Sequence, residues 1–201
     1  MDKIALATDD NDLAAEARLC LAVVVVTYNS ARVLGGLLDS LPAGLEGIAK
    51  TEVVIVDNNS KDASVAIAAS HPVVPRIIQT GRNAGYAAAI NAAAATIDDA
   101  SYILVLNPDI RLLPGCALRL VDRLLDDSIG IVVPKLLEQD GELAYSLRRE
   151  PSLVTSWSDA LFGTRLAGRW GLGEIVMNPG LYEHGGTVEW ATGAALAISA
   201  R

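Results

Sequence analysis

At 201 residues, 51% of them apolar and 20% charged, the chain can bury the core of one domain and is too apolar to be disordered throughout. Its formal net charge of −8 argues against a broad basic face for DNA or RNA and repels phosphorylated ligands. Any phosphate site must therefore bring its own positive charge, from arginine, a helix N-terminus or a metal. The two cysteines, Cys20 and Cys116, lie in apolar stretches and form no disulfide framework, which points to the reducing cytosol.

Residues 1–19 read as a polar, acidic extension (Asp9, Asp10, Asp12, Glu16) without the basic and apolar blocks of a signal peptide. The run from Leu19 to Val26 is too short to span a bilayer, which needs about 20 apolar residues. The β-branched stretch Leu21 to Val26 predicts a buried parallel strand. A helix is expected from Ala31 to Leu41, with Ser30 as N-cap and Pro42 just past its end. Glu52 to Val56 predicts a second strand, and Ser60 a cap for a helix from Lys61 to Ser70, ended by His71-Pro72. A short strand over Arg76 to Gln79 precedes an alanine-rich helix from Tyr86 to Thr96. Tyr102 to Leu106 is the fourth strand; a helix from Gly115 to Leu125 leads to a strand over Ile129 to Val133. Residues 140–187, rich in Gly, Arg and Trp, read as excursions rather than a second domain. Thr187 to Ser199 reads as a strand region broken by Gly193. This alternation implies an α/β fold, a mostly parallel sheet flanked by helices.

In an open parallel sheet, ligands bind beyond the carboxyl ends of the strands. Four such ends carry Thr27-Tyr28-Asn29-Ser30, Asp57-Asn58-Asn59-Ser60, Thr80-Gly81-Arg82-Asn83-Ala84-Gly85 and Asn107-Pro108-Asp109. Any one cluster is ordinary turn chemistry. Four on one edge bring together two carboxylates, an arginine and a glycine that opens a helix. Those parts suit a nucleoside diphosphate with a divalent metal: Mg²⁺ takes one or two carboxylates plus substrate phosphates, Arg82 can fork to phosphate, and the helix after Gly85 offers free N–H groups. Neither the dinucleotide glycine fingerprint nor the phosphate loop of common nucleotide hydrolases occurs.

Val23-Val-Val-Val-Thr-Tyr-Asn-Ser30, Val54-Ile-Val-Asp-Asn-Asn-Ser-Lys-Asp62, Arg82-Asn-Ala-Gly-Tyr-Ala-Ala-Ala-Ile-Asn91 and Leu104-Val-Leu-Asn-Pro-Asp109 together resemble the ordered motifs of family 2 glycosyltransferases, with bacterial rhamnosyltransferase-like enzymes as the nearest subgroup. Ser146-Leu-Arg-Arg-Glu-Pro-Ser152 and Val188-Glu-Trp-Ala-Thr-Gly-Ala-Ala195 resemble that subgroup too. The resemblance implies a GT-A fold over residues 20–201, with residues 1–19 as an extension. It implies that Thr27, Tyr28 and Asn29 line the base and ribose pocket, and that Asp57 reads the imide N–H of uracil or thymine. Arg82 and Gly85 would border the ribose and diphosphate. Asn107 and Asp109 stand at the D-x-D motif, with Asp109 as ligand to Mg²⁺ or Mn²⁺. Trp190, Gly193 and Ala194 would lie near the sugar and acceptor. The implied reaction is inverting transfer from a dTDP- or UDP-sugar, rhamnose above all, to a cell-envelope glycan or prenyl-linked acceptor, in the cytoplasm or at the inner face of the membrane, with a peripheral membrane contact.

Two departures matter. Asn107 replaces a carboxylate at the first D-x-D position. The family's Glu-Asp pair, whose aspartate is the base, is expected beyond Arg201, so the catalytic base is unassigned; Glu189 and Glu183 are weak stand-ins. A binding module without transfer activity is thus the alternative. A sugar-nucleotide pyrophosphorylase needs a glycine-rich basic loop that Thr27-Tyr28-Asn29-Ser30 lacks. His71 reads as structural and His184 as a surface turn. Trp157, Phe162 and Trp170, spaced with leucines, are expected to pack on the core, the other reading being a face for a lipid-linked acceptor.

Overall fold

A computed structural model describes residues 20–200; the extension predicted for residues 1–19 lies outside it. The chain divides into two compact units, one of residues up to Val132 and from Ala194 onward, the other Val133–Gly193.

The first unit is built on a six-stranded sheet in the order β3-β2-β1-β4-β10-β5. Its strands are β1 (Cys20–Thr27), β2 (Lys50–Asp57), β3 (Arg76–Gln79), β4 (Tyr102–Leu106), β5 (Ile131–Val132) and β10 (Ala195–Ser199). β1 pairs in parallel with β2 and β4, and β2 with β3, while β10 runs antiparallel to both β4 and β5. The expected mostly parallel α/β sheet is therefore present, with one antiparallel strand inserted next to β4. Every residue of β1 from Leu21 to Thr27 is buried, as both-face burial in a parallel sheet requires. The strand order reverses between β1, which leads out to β2 and β3, and β4; at such a reversal an open sheet leaves a crevice beyond its carboxyl ends.

The helices follow from their apolar spacing. α1 (Ala31–Gly44) buries Leu34, Leu37, Leu38 and Leu41, an i, i+3, i+4, i+7 stripe. Between β2 and β3 lies α2 (Ser64–Ser70). α3 (Tyr86–Ala94) lays Ala89 and Ala93 on Val24, Val26, Val54, Val56 and Val105; its small residues let the helix approach the sheet closely. α4 (Cys116–Leu124) follows β4.

Among the boundaries that differ from expectation, three have a clear physical cause. Pro42 lies inside α1 rather than beyond it: the proline withholds one N–H, but Leu45 N–H still bonds the Leu41 carbonyl, and the buried Leu41 and Gly44 hold the last turn. α2 starts at Ser64, not Lys61, because Ser60 is drawn to Asp57 while Asp62 bonds the Ser64 N–H. β5 spans two residues rather than five, since only Ile131 and Val132 pair with β10.

The second unit contains the hairpin of β6 (Leu136–Leu137) and β7 (Leu143–Ala144), the antiparallel pair of β8 (Leu147–Arg148) with β9 (Trp190–Ala191), and helices α5 (Leu153–Phe162), α6 (Thr164–Arg169) and α7 (Pro179–His184). Leu147, Val176 and Tyr182 form its small core. The Tyr182 hydroxyl donates to the Val176 carbonyl and accepts from the Leu147 N–H, both at 3.0 Å. Residues 140–187 thus fall within a unit that has its own core.

Leu38 is fully buried in the α1 stripe. Leu38→Ala is expected to destabilise the first unit by roughly 2–5 kcal/mol through lost transfer energy and a residual cavity, read from urea unfolding; a loss below about 1 kcal/mol would contradict the packing described.

Candidate functional site

The carboxyl ends of β1 and β2 are tied by a buried carboxylate. In the sheet register Thr27 stands beside Asp57. Asp57 is 2% exposed; its Oδ1 accepts from Thr27 Oγ1 (3.0 Å) and Ser60 Oγ (2.5 Å), and its Oδ2 from the Ser60 N–H (3.0 Å). A carboxylate has about four acceptor positions, so these bonds leave one on Oδ2 unused. Asn29 and Asn59 both take the left-handed conformation (φ 53° and 66°), which asparagine tolerates better than most residues. The two turns interlock: Asn29 N–H donates to Ser60 Oγ (2.9 Å) and Lys61 N–H to Asn29 Oδ1 (2.8 Å). The Asn29 side chain is thus committed to the neighbouring turn, whereas Tyr28 projects into solvent, 51% exposed.

Asn58, buried at 3%, extends the link to the next two elements. Its N–H donates to the Thr27 carbonyl (2.8 Å) and its Nδ2 to the Gly85 carbonyl (3.2 Å), and its Oδ1 lies 3.3 Å from Thr80 Oγ1. Gly85 is the N-cap of α3, with φ 90° and ψ 169°, a region open essentially to glycine alone. Among the described residues, no heavy atom other than those of its chain neighbours lies within 4 Å of where its Cβ would stand, so the approach to this helix end is open. No side chain caps α3. Arg82 is exposed on the same loop.

Asn107 follows β4. Its N–H donates to the Ala194 carbonyl (2.8 Å), which brings Ala194 beside the Asn107-Pro108-Asp109 turn. Asp109 is exposed, and no described residue hydrogen-bonds or ion-pairs its carboxylate. An open cleft of about 420 Å³ runs along this edge, walled by Tyr28, Asn58, Asn83, Tyr86, Asn107 and Asp109 among others. Burial pushes the Tyr86 phenol above its ordinary value. A groove of about 470 Å³ lies at the amino ends of β2 and β3, and its Arg76 is paired with Glu52 at 2.7 Å, so it offers phosphate no free cation.

The first unit therefore gathers Thr27, Tyr28, Asn29, Asp57, Asn107, Asp109 and Ala194, with Gly85 joined through Asn58 and Arg82 on the Gly85 loop. Trp190 and Gly193 belong to the second unit, where Trp190 Nε1 donates to the Arg149 carbonyl (2.7 Å). Glu189 accepts from the Glu150 N–H, so its carboxylate is engaged; Glu183 and His184 are exposed on α7. His71 bonds Asp39 at 3.1 Å from the end of α2. As for metal chemistry, no three His, Cys, Asp or Glu side chains cluster among the described residues. The donor set, one free carboxylate with a neighbouring amide, fits a hard cation completed by phosphate oxygens rather than a protein cage.

Asp62 lies just past the second strand-end cluster. Its Oδ2 accepts from Ala31 N–H in the first turn of α1 (2.9 Å); its Oδ1 accepts from the Ser64 N–H (3.0 Å) and Ser64 Oγ (2.6 Å). One aspartate thus caps two helices. The signal was an Asp just before an apolar helix with a Ser two residues on. Asn58, Asn83 and Tyr86 stood within the quoted clusters without an assigned role.

This architecture is the GT-A fold of nucleotide-sugar transferases. Glucosyl-3-phosphoglycerate synthase from Mycobacterium tuberculosis, solved with Mn²⁺, UDP and glucosyl-3-phosphoglycerate, superposes with a TM-score of 0.56 at 17% identity, covering 99% of this chain and 63% of that one. A mannosyltransferase from Pyrobaculum calidifontis, solved with GDP-Man and Mn²⁺, gives 0.50 at 25% identity, covering 59% of this chain and 35% of that one. The sequence matches glycosyl transferase family 2 over residues 22–180, and the chain belongs to that family. It is 30% identical over 158 residues to N-acetylglucosaminyl-diphospho-decaprenol L-rhamnosyltransferase of M. tuberculosis, which covers 71% of this chain and 50% of the relative. The chain thus spans about half the length of the curated relatives it matches.

Two substitutions test the geometry. The Ser64 side chain, then the Ala31 N–H, hold the Asp62 carboxyl below its ordinary value. Folding lowers this pKa, so the ionised group stabilises the fold at neutral pH, and that contribution is lost as pH falls below about 4. Asp62→Asn is expected to flatten the acid limb of stability against pH, measured by urea unfolding from about pH 3 to about pH 7; an unchanged acid limb would contradict the double cap. Gly85→Ala forces a side chain into a glycine-only conformation at a cost of about 1–3 kcal/mol. It should weaken nucleotide diphosphate binding in calorimetry, whereas unaltered affinity would mean that the α3 entry plays no part in the site.

Proposed function

We propose that this chain carries the donor site of an inverting glycosyltransferase that takes a dTDP- or UDP-sugar, rhamnose foremost, and passes the sugar to a lipid-linked or cell-envelope glycan acceptor in the cytoplasm or at the inner face of the membrane. The observation that carries the reading is the unpaired Asp109 carboxylate on the same cleft as the open α3 end. The base would lie against Tyr28, with its imide N–H aimed at the remaining acceptor position of Asp57. The diphosphate would meet the first N–H groups of α3 and the Arg82 guanidinium, which supply the local positive charge that a chain of net charge −8 otherwise withholds. Asp109, with Asn107 beside it, would hold Mg²⁺ or Mn²⁺, and a bound cation offsets charge on the leaving phosphate as a Lewis acid. The curated relative's acceptor is a diphospho-decaprenol glycolipid, which supports a prenyl-linked acceptor here and a role in cell-wall polysaccharide synthesis. On this reading residues 20–201 belong to one GT-A domain, and Trp190, Gly193 and Ala194 serve the sugar and acceptor.

A second reading is a nucleotide-binding module without transfer activity. It is favoured by Glu189, whose carboxylate is taken by the Glu150 N–H and so is poorly placed to accept a proton from an acceptor. Transfer of rhamnose from dTDP-rhamnose to a prenyl-diphosphate-linked N-acetylglucosamine separates the two readings. Activity that Glu189→Gln or Glu183→Gln abolishes would assign the base; donor binding with no transfer would favour the module.

The metal is tested by calorimetry. UDP and dTDP should bind more tightly than GDP or ADP, and EDTA should remove most of that affinity. Asp109→Ala should do the same and abolish the metal dependence, with Asn107→Ala milder because an amide is a weaker ligand for a hard cation. Nucleotide affinity indifferent to EDTA would rule out the metal role of Asp109.

A further inference from the structure

Helix α5 is inside out. Its N-terminus is pinned by a reciprocal cap: Ser152 Oγ accepts from the Thr155 N–H (3.1 Å), and Thr155 Oγ1 accepts from the Ser152 N–H (2.9 Å). The face turned into the second unit is polar. Thr155 and Ser158 are buried, and Asp159 Oδ2 accepts from the Glu174 N–H (3.1 Å). The face turned to solvent is apolar: Leu153 is 80% exposed, Trp157 65% and Leu161 67%. Phe162 continues this face to the end of α6 through an edge-to-face contact with Trp170, ring centroids 5.5 Å apart, and Leu166 and Leu172 are exposed on the same stretch. The expectation that Trp157, Phe162 and Trp170 pack on the core is thus corrected. The core-facing positions of this helix are taken by hydrogen-bonding residues, and the aromatics project outward.

We infer that this α5–α6 surface docks on an anionic lipid bilayer. Exposed apolar area of this extent marks a docking surface rather than ordinary scatter. The charge around it selects the partner. Between Pro151 and Gly173 the charged residues are Asp159, Arg165 and Arg169. Asp159 is turned inward, while both arginines are exposed and have no ion-pair partner among the described residues. A chain of net charge −8 therefore presents a locally cationic edge beside Trp, Phe and Leu, the composition of an interfacial helix on anionic lipid. A second copy of the chain fits less well, because self-docking would bring four arginines together with only the flanking Glu150 of each copy as an exposed carboxylate nearby in sequence. The choice of lipid over another apolar partner leans on the prenyl-linked acceptor proposed above; the surface itself does not.

The test is co-sedimentation of the 201-residue chain with phosphatidylcholine vesicles, with and without phosphatidylglycerol, in the absence of donor and acceptor. The chain should sediment with the anionic vesicles, less so as salt rises. Arg165→Gln with Arg169→Gln should lower partitioning roughly fivefold per arginine. Trp157→Ser with Leu161→Ser should lower it about tenfold or more, with circular dichroism and nucleotide affinity unchanged, since both side chains are already in water. Failure to sediment with anionic vesicles overturns the inference, as does sedimentation of either double variant equal to that of the unaltered chain. A dimer that Trp157→Ser with Leu161→Ser converts to monomer, without vesicle binding, assigns the surface to a second copy and overturns it too. Vesicle binding with no nucleotide binding would leave this inference standing and defeat the proposed donor site; nucleotide binding without vesicle binding would do the reverse.

Discussion

The Asp57 carboxylate sits between two strands and beneath two turns, and the cleft edge depends on it. A buried carboxylate is costly unless its oxygens accept hydrogen bonds, and Thr27 and Ser60 provide them. Those bonds align the end of β1 with the turn after β2. Asn58 then carries the connection to Thr80 and the Gly85 carbonyl, which sets the start of α3. Asp62 adds the first turn of α1 to the same framework. A polar network with this many shared members behaves as a unit, so removing one partner leaves another buried group unsatisfied.

The cleft then combines rigid and open parts. Its floor is held by strands whose two faces are buried, while Tyr28 and Asp109 stand exposed around it and Arg82 is exposed on the Gly85 loop. This division suits a ligand that brings most of its own charge. On the proposed reading, the Asp109 carboxylate, the Arg82 guanidinium and the α3 end would be the protein's share, and a nucleoside diphosphate with its cation would complete the balance.

Much of the sheet could be read from β-branched runs. Val23 to Val26 and Val53 to Val56 have the continuous burial of parallel strands, and the strand-end clusters followed from where those runs stop. The antiparallel insertion of β10 could not be read that way, because strand order depends on long-range pairing that local pattern does not encode. The start of α2 was misplaced because Ser60 and Asp62 compete for capping: both are good caps, and the pull of Asp57 on Ser60 is a tertiary effect. Trp157, Phe162 and Trp170 were misread for a related reason. Helical spacing reveals an apolar face but not which way it points, and here the inward positions were claimed by Thr155, Ser158 and Asp159.

The account stands most directly on where a metal and a diphosphate lie. A crystal structure of the chain grown with UDP or dTDP and Mn²⁺, with anomalous data for manganese, would locate both. The account predicts an anomalous peak within the oxygen-ligand range of about 2.0–2.6 Å from an Asp109 carboxylate oxygen, with the diphosphate between it and the first N–H groups of α3. Manganese bound elsewhere, or a nucleotide seated away from the ends of β1, β2 and β4, would contradict it.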